Sequence, residues 1–375
     1  MKTRIKQLLP VIMILALILI SATASGLNAV PESKSLTLKE ALELGQKGNS
    51  SIEFAELTAQ YQQVVWEQNE YQRKDLESSI DKAKRNGSSV PMTADLYLSL
   101  NVVPVQNKNN YDLSKLSQAS SINSVKYGIE VAYYNTQTAQ RSLEIAEASL
   151  KRSETQLKNA QEKFSRGTVA KIDVLTAESN NLKAQVSYEN SKNSLVSAQM
   201  NLAKQLGLDV RTPLVLTSKL DTPKKVEIDI EAELVKLKQT DVGYIKAKNN
   251  YEISLLMEEY NNRFNLPNTY KHRAQAVDNK GEEVLYKDAQ ISLEISVREA
   301  AASLASSLLN YQSLSKSCDL AQQSYDLSVL RYNSGLDTIY DVQNAEISFK
   351  EAEMTRLEAL SKYYLGLAKF TYGVF

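Results

Sequence analysis

Along most of this chain, apolar and small residues return every three or four positions, the spacing that places them on one face of an α-helix. The series are long. Ala132, Ala139, Ala146, Ser153 and Ala160 stand seven residues apart, as do Ala300, Ser307, Leu314, Ala321 and Ser328. A third series runs through Ala177, Ala184, Ser191 and Ala198, and a fourth through Ala345, Ala352, Ala359, Gly366 and Gly373. Small residues at one heptad position let helix backbones approach closely, while larger neighbours fill the seam. The pattern predicts helix over 36–85, with a weak break from Gly45 to Ser51, then over 113–165, 228–261 and 287–330. A further helix follows each glycine break described next. At about 1.5 Å per residue, the helix over 113–165 alone would be about 80 Å long.

The pattern is also duplicated. Lys163-Phe164-Ser165-Arg166-Gly167 is followed by Asp173-Val174 and Ala177-Glu178. Arg331-Tyr332-Asn333-Ser334-Gly335 is followed by Asp341-Val342 and Ala345-Glu346. The offset from Gly167 to Gly335 is 168 residues, a whole number of heptads, so duplication kept the helical phase. Each copy sits at a break between two long helical patterns. Such a unit cannot bury its apolar seams alone, so the halves must pack together or assemble with other chains. The expected fold is mainly α: two tandem repeats of very long antiparallel coiled-coil helices, the protomer of an α-barrel, with short, degenerate β inserts. Repeat 1 is placed at 36–207 and repeat 2 at 228–375, joined by a linker at 208–227, all in one domain over 25–375.

The inserts are expected at 86–112 and 263–286. Asn86-Gly87-Ser88-Ser89, Pro91 and Pro104 are turn formers and helix breakers. Between them Leu96, Leu98 and Leu100 alternate with Tyr97, Ser99 and Asn101, which predicts a strand within 94–103. The second insert carries Lys271, His272, Arg273, Asp278, Lys280, Glu282 and Glu283, without strand alternation. In the linker, Val210, Leu214, Val215 and Leu216 suggest a short strand confined by Pro213 and Pro223.

Composition narrows the function. The chain has 375 residues, with 44 Lys and Arg against 44 Asp and Glu, so no basic field draws it to nucleic acid. Lys2, Arg4 and Lys6 precede an apolar stretch from Leu8 to Ile20, and Ala22-Thr23-Ala24 offers a small-x-small cleavage site. Residues 1–24 therefore read as a secretory signal peptide, too short for a membrane span. The single cysteine, Cys318, lies in a helical pattern and reads as a small seam residue. The single histidine, His272, has no Cys or His cluster with which to hold zinc. No phosphate loop and no nucleophile–base–acid arrangement is legible, so neither catalysis nor a cofactor nor a metal is expected.

The order helix, insert, helix, tip, helix, linker, then the same again, together with the doubled tip motif, resembles the outer membrane efflux protein family, the TolC-like channels. The resemblance covers nearly the whole mature chain. It implies a homotrimer in which each protomer gives helices to a long tunnel and strands to a shared outer membrane β-barrel. It implies partners as well: a periplasmic membrane-fusion adaptor that meets the helical tips, and an inner-membrane transporter coupled through it. The chain departs from this pattern at the barrel, because a membrane hairpin needs about 20 residues or more of alternating strand and neither insert supplies them.

The tips carry the candidate functional residues. Gly167, Thr168, Val169 and Ala170 in the first copy, and Gly335, Leu336, Asp337 and Thr338 in the second, would form the adaptor-docking turns. The glycines stand where a helix end wants positive φ. Thr338 with Asp341 forms a helix N-capping pattern, whereas Ala170 leaves Asp173 alone to favour its helix N-terminus. Asp173 and Asp341 are thus either caps or linings of a pore constriction. In the family the closed entrance resembles a network of such an aspartate, a tyrosine and a basic residue two positions after the glycine. Tyr332 matches the tyrosine, but Val169 and Asp337 occupy the basic position. Under threefold symmetry, Asp337 and Asp341 would give rings of carboxylates without a basic partner, with raised pKa values and a preference for cations. Two functions stay open: a passive export conduit worked by a pump elsewhere, and an exported coiled-coil scaffold without a pore.

Overall fold

The computed structural model describes residues 33–218 and 222–375; the signal-peptide reading of 1–24 falls outside them. The fold is a set of long antiparallel helices. Helix α1 (Leu38–Lys47) is capped by Thr37, whose hydroxyl accepts from the Glu40 amide while the Glu40 carboxylate accepts from the Thr37 amide. Helix α2 (Ser50–Arg85) follows the break foreseen after Gly45, with Asn49 as its cap. A short α3 (Ala94–Tyr97), a π-helical turn (Leu98–Val102) and α4 (Val103–Ser165) form one continuous rod. Its 63-residue α4 portion is about 95 Å long. Helix α5 (Lys171–Gln205) returns along α4.

The second repeat begins with α6 (Ile230–Thr240) and α7 (Val242–Phe264), which share Asp241 as the cap between them. The 64-residue α8 (Tyr270–Asn333) and α9 (Ile339–Tyr372) then repeat the hairpin of α4 and α5. Helix α9 packs on both α4 and α8, so the half of the wall nearest the tips runs α5, α4, α9, α8. Toward the other end α2 replaces α5 beside α4, and α7 takes the place of α9 against α4 and α8.

At mid-height each repeat gathers an apolar cluster, and Tyr364 packs against both. One gathers Leu36, Ile129, Tyr133, Leu202, Leu206, Leu214 and Leu216; the other gathers Leu234, Leu237, Val297, Leu304, Tyr363 and Phe370. Strand β1 (Lys34–Leu36) pairs in parallel with β2 (Leu214–Leu216), with Lys34 opposite Leu214 and Leu36 opposite Leu216. The short strand expected in the linker is therefore present, and its partner is the segment preceding α1. The Tyr133 hydroxyl donates to the Leu36 carbonyl at 3.0 Å and locks this pair onto α4. Close backbone approach is real here. A Cβ on Gly45 would stand 2.4 Å from Ile129 Cδ1 and 3.3 Å from the Gln205 carbonyl oxygen, so a larger residue there would make the Ile129 side chain move.

The insert expectation is corrected at both places. Residues 94–103 are helical, and 263–286 is the end of α7, a short turn and the start of α8. The reason lies in the burial. Tyr97 and Val102 are buried, five residues apart, while Leu96, Leu98 and Leu100 are only half-buried. Five residues is the hydrogen-bonding step of a π turn, and the Val103 amide does bond to the Leu98 carbonyl. Pro104 explains the turn: in an α-helix its ring would crowd the carbonyl four residues back, and the wider turn relieves this. Among the described residues no helix is long and apolar enough to cross a membrane.

Candidate functional site

The two tips are built alike. After α4, Gly167 has φ +74, and the Thr168 amide bonds back to the Lys163 carbonyl at 2.9 Å while the Gly167 amide bonds to Phe164. After α8, Gly335 has φ +77, with Leu336 bonded to Arg331 at 2.8 Å and Gly335 to Tyr332. This pair of bonds closes a helix end by consuming two orphan carbonyls, and it needs a left-handed residue at the glycine. A Cβ on either glycine would meet nothing within 4 Å, so backbone conformation alone demands them.

The outgoing helices start differently, as the sequence predicts. The Asp341 carboxylate accepts from the Thr338 amide at 2.9 Å, and the Asp341 amide donates to the Thr338 hydroxyl at 3.3 Å. The Thr338 hydroxyl in turn donates to the Asp341 carboxylate at 2.6 Å. In the first copy only half of this box exists: the Asp173 carboxylate accepts from the Ala170 amide at 3.0 Å. Hydrogen bonds from Thr338 hold the Asp341 carboxyl below its ordinary value. In the protomer Asp341 thus caps its helix.

The charge expectation for Asp337 is corrected. Its carboxylate accepts from Arg331 Nε at 2.8 Å and from the Ser328 hydroxyl at 3.3 Å, and it is largely buried. A basic partner exists, six residues earlier on the incoming helix. Lys163 is the residue equivalent to Arg331 in the first repeat. With Val169 in place of a carboxylate, Lys163 reaches across to the other tip. Its ammonium stands 3.6 Å from the centroid of the Tyr332 ring and 3.4 Å from the Tyr332 carbonyl. Tyr332 itself is buried with Ile339 and Val342, and burial together with the nearby Asp173 charge raises its hydroxyl pKa. The structure thus brings Tyr332, Lys163 and Asp173 together from both repeats, while Asp337 and Asp341 remain within their own turn. Thr168, Ala170, Leu336 and Thr338 are exposed, and Val169 is half-buried. Phe164, Ile172, Leu336 and Tyr340 add exposed apolar surface at the same end.

A group that the sequence reading did not single out ties the two hairpins above the tips. Glu346, buried on α9, accepts from Arg152 Nε at 2.9 Å, from the Ser149 hydroxyl at 3.1 Å and from Gln156 Nε2 at 3.1 Å, all on α4. The Arg152 guanidinium also faces the Tyr325 ring of α8 at 5.7 Å. Glu178, the equivalent of Glu346, is exposed. One signal was present in the sequence: Glu346 closes the duplicated motif, but nothing local showed which copy would be buried. Among the described residues no group of His, Cys, Asp or Glu could hold a metal ion.

Comparison with known proteins adds three findings. Residues 70–208 match the family model described as outer membrane efflux protein. The fold matches solved structures over most of both chains at low identity. A membrane protein from Pseudomonas aeruginosa has a TM-score of 0.67 at 13% identity, covering 89% of this chain and 91% of that one. The outer membrane protein VceC from Vibrio cholerae has 0.64 at 13%, covering 89% and 95%, and the CmeC outer membrane channel from Campylobacter jejuni has 0.64 at 12%, covering 90% and 85%. No curated protein sequence matches the chain.

Proposed function

From a chain with an outer membrane efflux protein segment and the fold of the TolC-like channels, we propose the tunnel component of an efflux or secretion system. Three copies close into a helical conduit through which solutes pass passively. A membrane-fusion adaptor docks on the turns at 167–170 and 335–338, and an inner-membrane transporter supplies the energy. Repeat 1 (36–207), the linker 208–227 and repeat 2 (228–375) act as one unit, exported to the cell envelope after loss of residues 1–24.

The observation that carries this reading is the uncovered apolar ridge on α2. Phe54, Leu57, Tyr61, Val64 and Tyr71 lie along one helical face and are 56–74% exposed. Such a surface is what a wall segment leaves open before its neighbours close the ring. The competing reading, an exported scaffold without a pore, draws on the helical inserts, which supply no barrel strands at 94–103 or 263–286.

Photocrosslinkers placed at Val169 and Leu336 test the docking assignment in cells. The proposal expects capture of a membrane-fusion adaptor from both positions. Adaptor crosslinks arising only from residues 86–112 would put the partner at the other end and reverse the orientation.

A further inference from the structure

At the end opposite the glycine tips, two more helical hairpins meet. Helix α2 turns into α3 through 86–93, and α7 turns into α8 through 265–269. Ring contacts hold the two turns together: Tyr97 lies 5.6 Å from Phe264 and 6.1 Å from Tyr260, and the Arg263 guanidinium covers Tyr97 at 5.6 Å. The charge on this end is one-sided. Lys82, Lys84, Arg85, Arg263, Lys271 and Arg273 occupy the final turns of α2 and α7 and the first turn of α8, all exposed. Asp95 is the exposed carboxylate closest to the turns, while Asp81 and Glu259 lie further back along their helices. The whole chain is neutral, so this is local segregation. The same turns project apolar side chains outward: Leu266 is 75% exposed, Tyr270 85% and Met92 39%.

We propose that this end docks peripherally on an anionic lipid bilayer, with the six cations against the headgroups and Leu266, Tyr270 and Met92 entering the interface. A basic rim draws a protein to negative headgroups, and aliphatic and aromatic side chains at its edge suit the boundary between headgroup and acyl chain. The helical hairpins satisfy their own backbone hydrogen bonds, and the charged end sits on the surface without crossing it. Charge alone would also suit a soluble polyanion; the exposed apolar residues at the turns select the bilayer. The inference is independent of the conduit reading, since a scaffold without a pore would attach through the same end.

The test is cosedimentation of the exported chain, residues 25–375, with phosphatidylcholine vesicles containing or lacking about one third phosphatidylglycerol. Residues 1–24 are omitted because their own basic and apolar sequence would bind lipid. Binding is expected to the anionic vesicles only, and to weaken as salt rises. Lys271→Glu with Arg273→Glu should lower it more than about tenfold. Leu266→Ser with Tyr270→Ser should lower it several-fold, with the helical circular dichroism unchanged in both variants. Equal binding to neutral vesicles, or none to anionic ones, overturns the proposal. Loss with the charge variant but no change with Leu266→Ser and Tyr270→Ser overturns it in favour of a soluble polyanion.

Discussion

At the residue scale the tips show which chemistry is local and which is not. The positive φ of Gly167 and Gly335 and the Thr338 cap follow from a few adjacent residues, and all three were legible in the sequence. The Lys163–Tyr332 contact joins residues from different repeats, so no local pattern announced it. The Arg331–Asp337 pair spans a left-handed turn, so its six-residue spacing matches no helical period that a sequence pattern reveals. Gly335→Ala should cost about 1–2 kcal/mol in a urea melt, because a Cβ is strained at φ +77 although it touches nothing. An unchanged melt would mean that the turn relaxes freely. Thr338→Ala should cost about 1 kcal/mol by loss of the cap. The cap is also sensitive to acid. The folded Asp341 carboxyl titrates below its ordinary 3.8, so its contribution is complete above that value and lost as pH falls through the lower folded one. The protection of amides in the first turn of α9, measured against their intrinsic exchange rate at the same pH, should therefore fall in acid in the native chain, and the fall should be smaller in Thr338→Ala.

At the element scale, the heptad seams foretold the long helices because the same face is apolar for many turns. At 94–103 three leucines at alternating positions satisfy a strand pattern, while the burial that decides the matter falls on Tyr97 and Val102. A π turn is invisible to a period-two or period-3.6 reading, although Pro104 was its local cause. The tie between hairpins is the element-scale device with the largest expected effect. Glu346→Ala leaves Arg152, about one quarter exposed, without its partner, and removes three hydrogen bonds across the α4–α9 seam. The expected loss is about 3 kcal/mol. Glu346→Gln, which keeps hydrogen-bonding capacity, should lose less. Glu178→Ala, at the exposed equivalent, should change the melt by less than about 0.5 kcal/mol. If both alanine variants melted alike, the tie would carry no weight.

At the scale of the whole molecule, the claim is that one protomer is a wall segment and not a finished body. The duplication made it legible that the halves must pack together or with other chains, but not the identity of the exposed ridge, since α2 reads as an ordinary amphipathic helix until its neighbours are known. If Phe54, Tyr61 and Tyr71 are covered by another copy, changing each to Ser should remove about 2 kcal/mol of association energy per subunit contact. The triple variant should then appear as a folded monomer by native mass spectrometry, with its helical content kept. The most direct test of the account is cryo-electron microscopy of the purified chain after removal of residues 1–24. The account predicts a threefold-symmetric particle with a continuous axial lumen walled by α4, α5, α8 and α9, whereas a monomer, or an assembly whose helices pack into a solid bundle, would contradict it.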